Sequence, residues 1–228
     1  MSTEKQKHND SFEQLEEATI STEQFIEKNQ KMLIRIVLII IVIIAAIFGY
    51  QKFYKIPRGE EALRQMFMAE NYFAKDSFNL ALNGDSQYKG FLDIAEEYSS
   101  TPSGNLAKYY AGLCYLYLGD YNNAITYLEK FSSSDLIFSD LVKANIGDAY
   151  MQLGDYKKAA DYYNKAANGN TNILTTPMVL MKAGEAYEKA NDFKSALKAY
   201  ERIEKEYPQS MEARFIEKYI TRAKLNIK

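Results

Sequence analysis

The sequence predicts an all-α protein: a single N-terminal transmembrane helix, then a solenoid of about three to four helix pairs, then a C-terminal capping helix. Two observations predict this architecture. Residues 32–50 form an apolar run with one charge, and the chain beyond it repeats a single pattern of small, aromatic and turn-forming residues. A length of 228 residues with 47% hydrophobic content suits one medium-sized domain with an appendage.

The first predicted element is a transmembrane helix over residues 32–54. Its apolar part runs from Met32 to Tyr50 and contains one charge, Arg35, and no proline. At about 1.5 Å per residue this run extends roughly 28 Å, close to the thickness of a bilayer core. Arg35 lies within one turn of the amino end, where its long stem can reach the headgroups.

Two other interpretations of this run are weaker. A buried core helix is rarely apolar on every face over this length. A cleaved signal peptide starts with a short basic region and ends with small residues at the cut site. Here seven acids and four lysines precede the run within residues 1–31, and residues 48–52 (FGYQK) make a poor cleavage site. We therefore expect an uncleaved signal anchor.

Residues 1–31 form an acidic leader that is predicted to be partly helical, because residues 21–24 (STEQ) resemble a capping box. The leader does not reveal the orientation of the span. Three basic residues precede the middle of the span and three follow it, so the positive-inside count is balanced. These residues are Lys28, Lys31, Arg35, Lys52, Lys55 and Arg58.

Internal repeats organise residues 57–228. Segments beginning at Ala111, Ile146 and Ala183 align with offsets of 35 and 37 residues, and each has a Gly, a Tyr three residues later and an Ala nine residues after that. This period resembles the tetratricopeptide repeat, a helix-turn-helix unit of about 34 residues. The predicted units are a degenerate repeat at 60–102, repeats at 104–137, 139–172 and 176–209, and a capping helix at 210–227.

The turns inside each repeat have a physical explanation. We expect the first helix of a pair to end at a residue in the left-handed conformation, and the second to begin at an Asp that caps its free amides. The left-handed residues are Gly119, Gly154 and Asn191, and the capping residues are Asp120, Asp155 and Asp192. Gly and Ala at the matched positions should let the helices approach closely. In the degenerate repeat, the turn-forming residues 83–89 mark an insertion.

In tetratricopeptide proteins the first helix of each pair lines the concave side, so the resemblance implies a partner-binding groove there. The candidate residues are Leu63, Met66, Phe73, Leu106, Tyr109, Leu113, Tyr117, Asp148, Met151, Met178, Met181 and Glu185. Rigid Tyr and adaptable Met suit varied contacts with a polypeptide. The alternative is that many of these side chains are core.

The acidic residues near this groove limit the chemical class of ligand that it can bind. Chaperone-type clamps of this fold hold carboxyl termini with basic side chains, whereas Asp148, Glu185 and Glu188 would repel a carboxylate. A basic or apolar segment is the expected ligand.

The inventory of reactive residues argues against catalysis. The chain has one His, His8, and one Cys, Cys114, so the Cys/His type of zinc site, an intramolecular disulfide and a His-dependent nucleophile are not expected. No glycine-rich phosphate loop appears, and no cofactor or metal is predicted. A formal net charge of -2 provides no basic field for nucleic acid.

The order of these parts resembles the YfgM family, the ancillary tetratricopeptide subunit of the bacterial Sec translocon. The resemblance rests on an acidic leader ending at residues 24–29 (QFIEKN), one span, and repeats to the end. Residues 79–82 (NLAL) and the insertion at 83–89 are similar to the Bacteroidetes-type form.

The resemblance implies a single-pass protein of the bacterial inner membrane, with a cytoplasmic N-terminus and a periplasmic repeat domain. Its implied partners are the SecYEG translocon, a membrane-anchored PpiD-type isomerase and secreted or envelope client proteins, without nucleic acid. The implied role is non-enzymatic and chaperone-like or scaffolding. An alternative uses the same anchor and assigns the repeats to envelope assembly or cell-division coordination.

Overall fold

The computed structural model describes residues 28–169 and 171–227. His8 and the predicted capping box at residues 21–24 lie outside the described residues. The chain divides into two compact units, Met1–Pro57 and Arg58–Lys228.

The first unit contains the apolar segment. Helix α1 is described over residues 28–50, a π-helical turn follows at Gln51–Lys55, and α2 spans Ile56–Ala74. The π turn lies directly before Pro57, whose ring would otherwise clash with the backbone carbonyl four residues earlier. The helix Lys28–Ala74 is long and apolar enough to cross a membrane, and none of its most apolar window is buried in the protein. This apolar segment is therefore not a core helix.

Beyond α2, the second unit is built from consecutive helices, each packed on the next. These are α3 (Phe78–Asn83), α4 (Phe91–Glu97), α5 (Pro102–Leu118), α6 (Tyr121–Lys130), α7 (Leu136–Gln152), α8 (Tyr156–Ala167), α9 (Thr175–Lys189), α10 (Phe193–Glu206), a 3₁₀ turn (Glu212–Phe215) and α11 (Ile216–Asn226). The described residues contain no strand beyond one isolated bridge, Gly84 with Lys89. The predicted all-α solenoid is confirmed.

The predicted turns inside the helix pairs are confirmed. Gly119, Gly154 and Asn191 have φ of +84°, +77° and +60°, the left-handed conformation that ends α5, α7 and α9. The Asp that follows each of them caps the next helix, because its carboxylate accepts the backbone N–H three residues later at 3.1–3.2 Å. These two residues together reverse the chain within each pair.

The matched glycines have a more specific role than backbone approach. A Cβ atom at Gly112 would lie 2.7 Å from Cγ of Leu128, and one at Gly147 would lie 2.7 Å from the Tyr163 ring. At Gly184 the distance to the Tyr200 ring would be only 2.2 Å. Each glycine therefore makes room for a large side chain that the second helix inserts sixteen residues later.

The degenerate unit has a divided second helix. The insertion at residues 83–89 separates α3 from α4 and turns back on itself through the Gly84–Lys89 bridge. The Asp85 carboxylate organises this turn: it accepts the N–H groups of Gln87 and Tyr88 at 2.8 and 2.7 Å, and the Tyr72 hydroxyl at 2.6 Å. The insertion is thus tied back to α2.

The C-terminal segment differs in detail from the single helix predicted from residue 210. Ser210 accepts the N–H of Ala213, a 3₁₀ turn follows, and the α-helix begins only at Ile216. Helix α11 has the same buried spacing as the first helices of the two preceding pairs. The equivalent buried triplets are Val142, Ile146 and Ala149; Val179, Ala183 and Ala186; Ile216, Ile220 and Ala223. Helix α11 therefore packs as the first helix of an incomplete pair.

Candidate functional site: a cavity across three first helices

The first helices of three successive pairs, together with Tyr121 and Tyr163 from second helices, line an open cavity of about 450 Å³. Because α5, α7 and α9 occupy equivalent places in the repeat, their exposed sides lie next to one another. The lining residues are Leu116, Tyr117, Tyr121, Asp148, Met151, Gln152, Tyr163, Lys182 and Glu185. The volume falls within the range of pockets that hold small ligands or single side chains.

Asp148 is the most highly bonded residue of the cavity. Both of its carboxylate oxygens accept from Nζ of Lys182, at 2.8 and 2.9 Å, and Oδ1 also accepts from the Tyr163 hydroxyl at 2.6 Å. The Tyr163 pKa is raised, first by burial and then by the Asp148 charge, so this hydroxyl remains a hydrogen-bond donor. Lys182 therefore neutralises Asp148, and the pair connects α7 to α9.

Glu188 is neutralised in the same way. Arg222 on α11 donates from Nε and Nη2 to its two carboxylate oxygens, at 3.0 and 2.5 Å. This forked geometry is the strong form of an ion pair. Of the three acidic residues expected to repel a carboxylate ligand, two are thus engaged within the protein.

Glu185 has no such partner. Within the described residues it forms no hydrogen bond and no ion pair, although it is partly buried and lines the cavity. Burial raises its pKa, the neighbouring Glu188 carboxylate raises it further, and nearby cations, Arg222 first, oppose the shift. The cavity therefore has one carboxylate with unused acceptor capacity.

The rest of the lining provides apolar and aromatic contact surface. Tyr117 is 60% exposed, and its ring stacks on Phe78 at a centroid distance of 4.5 Å and lies 6.1 Å from Phe73. Leu116 and Met151 occupy equivalent positions on α5 and α7 and form a shared apolar wall. A large aromatic group that is exposed and already supported from behind costs little entropy when it contacts a partner.

The structure divides the twelve predicted groove residues into groups. Four line the cavity: Tyr117, Asp148, Met151 and Glu185. Phe73, Leu113 and Met181 are partly buried and pack against the core clusters.

Two predictions are wrong. Met66 is completely buried and Tyr109 is 8% exposed, because their helices turn these side chains toward neighbouring helices. Neither side chain is available to a partner in this structure.

The remaining three, Leu63, Leu106 and Met178, belong to a second apolar feature. With Leu141 and Phe215 they occupy one position of the repeat, and we call these five residues the apolar row: Leu63, Leu106, Leu141, Met178 and Phe215. Leu106 is partly buried and the other four are exposed, Leu63 and Phe215 each at 62%. A repeated exposed apolar position is typical of a contact surface.

Five lining residues are not among the twelve predicted candidates: Leu116, Lys182, Tyr163, Tyr121 and Gln152. A usable signal exists for Lys182, because it lies 34 residues after Asp148, and Arg222 likewise lies 34 residues after Glu188. Complementary side chains separated by one repeat length meet across neighbouring pairs. Tyr163 and Tyr121 lie in second helices, which the groove prediction did not include.

The described residues contain no group of three or more His, Cys, Asp or Glu side chains placed to hold a metal ion. Cys114 is completely buried in the core around α5, and burial raises its thiol pKa to about 12. A thiol of this kind is a packing group and not a nucleophile at neutral pH.

Comparison with known proteins agrees with this geometry. Residues 106–134 and 178–210 match one family model described as tetratricopeptide repeat, and residues 141–168 match a second with the same description. The chain carries tetratricopeptide repeats. The matched segments coincide with the helix pairs α5–α6, α7–α8 and α9–α10.

A solved structure shows the same tetratricopeptide fold. It is a crystal structure of nearly identical TPR-like repeats, designated a kinesin light chain, from Podosopora anserina. The similarity covers 74% of this chain and 87% of that chain, with a TM-score of 0.56 and 12% sequence identity. No curated protein matches the sequence. Tetratricopeptide repeats indicate a protein-interaction scaffold, because the stacked first helices present an extended binding surface.

Proposed function

We propose that this protein is a non-enzymatic, membrane-anchored interaction protein that binds polypeptides through its tetratricopeptide repeats. One observation carries the proposal. An unburied apolar segment of membrane-spanning length precedes repeats whose first helices line an open cavity of about 450 Å³, with exposed apolar side chains around it. Such a chain tethers a binding surface to a bilayer.

The more specific part of the proposal concerns the partner. We propose an ancillary role at the SecYEG translocon, together with a PpiD-type isomerase, with the N-terminus in the cytoplasm and the repeats in the periplasm. Supporting this is the order of acidic leader, span and repeats, which is that of the YfgM family. The combination of adaptable Met151 with exposed Tyr117 suits clients that emerge unfolded and vary in sequence.

Site-directed photocrosslinking in intact cells tests this proposal. A photoreactive phenylalanine derivative replaces Tyr117, which lines the cavity, and in a matched chain it replaces Glu204, which is exposed on α10 outside it. After detergent extraction, position 117 should form adducts with translocon subunits or exported proteins, and position 204 should form few.

If neither variant forms a crosslinked adduct and only the unmodified chain is recovered, the interaction role is refuted. Adducts with division or outer-membrane assembly factors would favour the alternative scaffold instead. Protease added to spheroplasts tests the orientation, because the repeats from Arg58 onward should be digested without lysis. Protection until lysis would exclude the periplasmic assignment.

A further inference from the structure

We propose that the cavity binds a cationic side chain, lysine or arginine, from the partner polypeptide, and that Glu185 is its charge partner. This inference rests on the proposed function, since it names the chemistry that the repeats recognise.

The charge balance favours a cation. Lys182 and Asp148 line the cavity but satisfy each other through two contacts, at 2.8 and 2.9 Å. Glu185 is then the one ionisable lining residue, apart from the tyrosines, without an ion pair in the described part of the chain. The cavity therefore presents one net negative charge at a defined position. Charge complementarity of this type selects partners more than it adds raw affinity.

The walls fit the remainder of such a side chain. Leu116 and Met151 offer apolar surface along which the methylene stem of lysine or arginine can lie. The rings of Tyr117 and Tyr121 also line the cavity, and aromatic faces attract ammonium and guanidinium groups. A long cationic side chain thus contacts both types of wall at once.

Binding of a carboxylate or of a purely apolar side chain in the cavity is less favourable. A carboxylate would find the one lysine of the lining already donating to both oxygens of Asp148, and the Glu185 carboxylate would repel it. A purely apolar side chain would remove water from the Glu185 carboxylate without replacing its hydrogen bonds. Burial already disfavours this carboxylate, as the raised pKa indicates, and a bound cation reverses that penalty.

The test measures binding of synthetic peptides to the full chain in lipid nanodiscs by fluorescence anisotropy. The parent probe is a capped, fluorescein-labelled nonapeptide with a central arginine between leucine pairs; in three others lysine, methionine or glutamate replaces that arginine. We expect the arginine and lysine peptides to bind at least about fivefold more tightly than the methionine peptide, and the glutamate peptide to bind weakest.

The decisive variant is Glu185→Gln, which keeps the size of the side chain and removes its charge. It should weaken the binding of the arginine and lysine peptides about five- to tenfold and leave the affinity of the methionine peptide unchanged. The matched control Glu204→Gln removes the same charge from an exposed position outside the cavity and should change nothing. If both variants lose the same affinity for the cationic peptides, only long-range attraction is involved, and Glu185 is not the charge partner.

The two proposals fail differently. If all four peptides bind equally, or if Glu185→Gln has no effect, the cationic subsite is wrong although the repeats still bind polypeptide. If no peptide binds but position 117 still forms crosslinks in cells, the subsite is again wrong and the interaction role stands. If neither peptides nor crosslinks are found, both proposals fail.

Discussion

Replacing Gly184 by alanine should destabilise the repeat domain, although alanine is the better helix former. A methyl group there would lie 2.2 Å from Cε1 and 2.5 Å from Cζ of Tyr200. The Tyr200 ring is rigid and completely buried against its neighbours, so it cannot swing aside as a flexible side chain could. The strain must be relieved by moving α9 relative to α10.

The expected size follows from two opposing effects. Overpacking a close-packed interior costs about 1–3 kcal/mol, whereas replacing glycine with alanine in a helix recovers about 0.5–1 kcal/mol. The two ranges leave a net loss of about 0–2.5 kcal/mol, and the 2.2 Å approach to a rigid ring favours the upper part, about 1–2.5 kcal/mol. For a domain of this size that lowers the melting temperature by roughly 2–10 °C.

Two other glycines provide matched controls. Gly59→Ala should be neutral or slightly stabilising, because nothing lies within 4 Å of the added atom. Gly112→Ala should cost less than Gly184→Ala, since the nearest atom to the added methyl group, Cγ of Leu128, lies 2.7 Å away instead of 2.2 Å.

The assay is thermal and urea unfolding of the full chain in mild detergent, followed by circular dichroism at 222 nm. A double variant, Gly184→Ala with Tyr200→Leu, should lose less stability than the two single changes added together, because leucine is the residue that the first intact pair uses at this position. If the Gly184→Ala variant melts at or above the wild-type temperature, the Tyr200 ring does not pack tightly against Gly184 on α9.

Three further predictions concern single residues. Burial raises the pKa of Glu185 above its ordinary 4.5, so the folded chain binds this proton more tightly than the unfolded chain, and stability falls as pH rises from 4.5 through the folded pKa. Glu185→Gln should therefore gain stability over wild type at pH 7 and lose that advantage at pH 4, as melting temperatures at the two values would reveal. Asp155→Ala removes the cap of α8 and should cost about 1 kcal/mol in urea titrations, while the exposed Asp161→Ala on the same helix should stay within about 0.5 kcal/mol. Cys114, with a thiol pKa of about 12, should resist maleimide at pH 7.5 until urea unfolds the chain, and mass spectrometry would detect early labelling that contradicts this.

Local features were predictable because their causes lie within a few residues. The left-handed Gly119 and the capping Asp120 are adjacent in the chain, and they form the same turn wherever a helix pair contains them. The insertion at residues 83–89 was predictable for the same reason, since turn-forming residues mark it directly. The register of the repeats also identified which helix of each pair carries the cavity.

The electrostatics of the site was not predictable from composition. Asp148, Glu185 and Glu188 look alike in the sequence, yet two have ion-pair partners 34 residues away, whereas Glu185 has none within residues 28–169 and 171–227. Which side chain of the next repeat reaches back depends on the offset and rotation between stacked pairs. That geometry is set by packing, including the space that each glycine leaves for a ring.

Sequence alone thus determined the apolar run of membrane-spanning length, the repeat period and the turns, because each is encoded by neighbouring residues or by periodicity. Only the tertiary structure decided that Met66 and Tyr109 are core, that Lys182 neutralises Asp148, and that Glu185 has no ion pair in the part of the chain that the structure describes. A repeated pattern specifies which face of a helix is turned inward. The contacts between one repeat and the next decide which groups on that face are left for a partner.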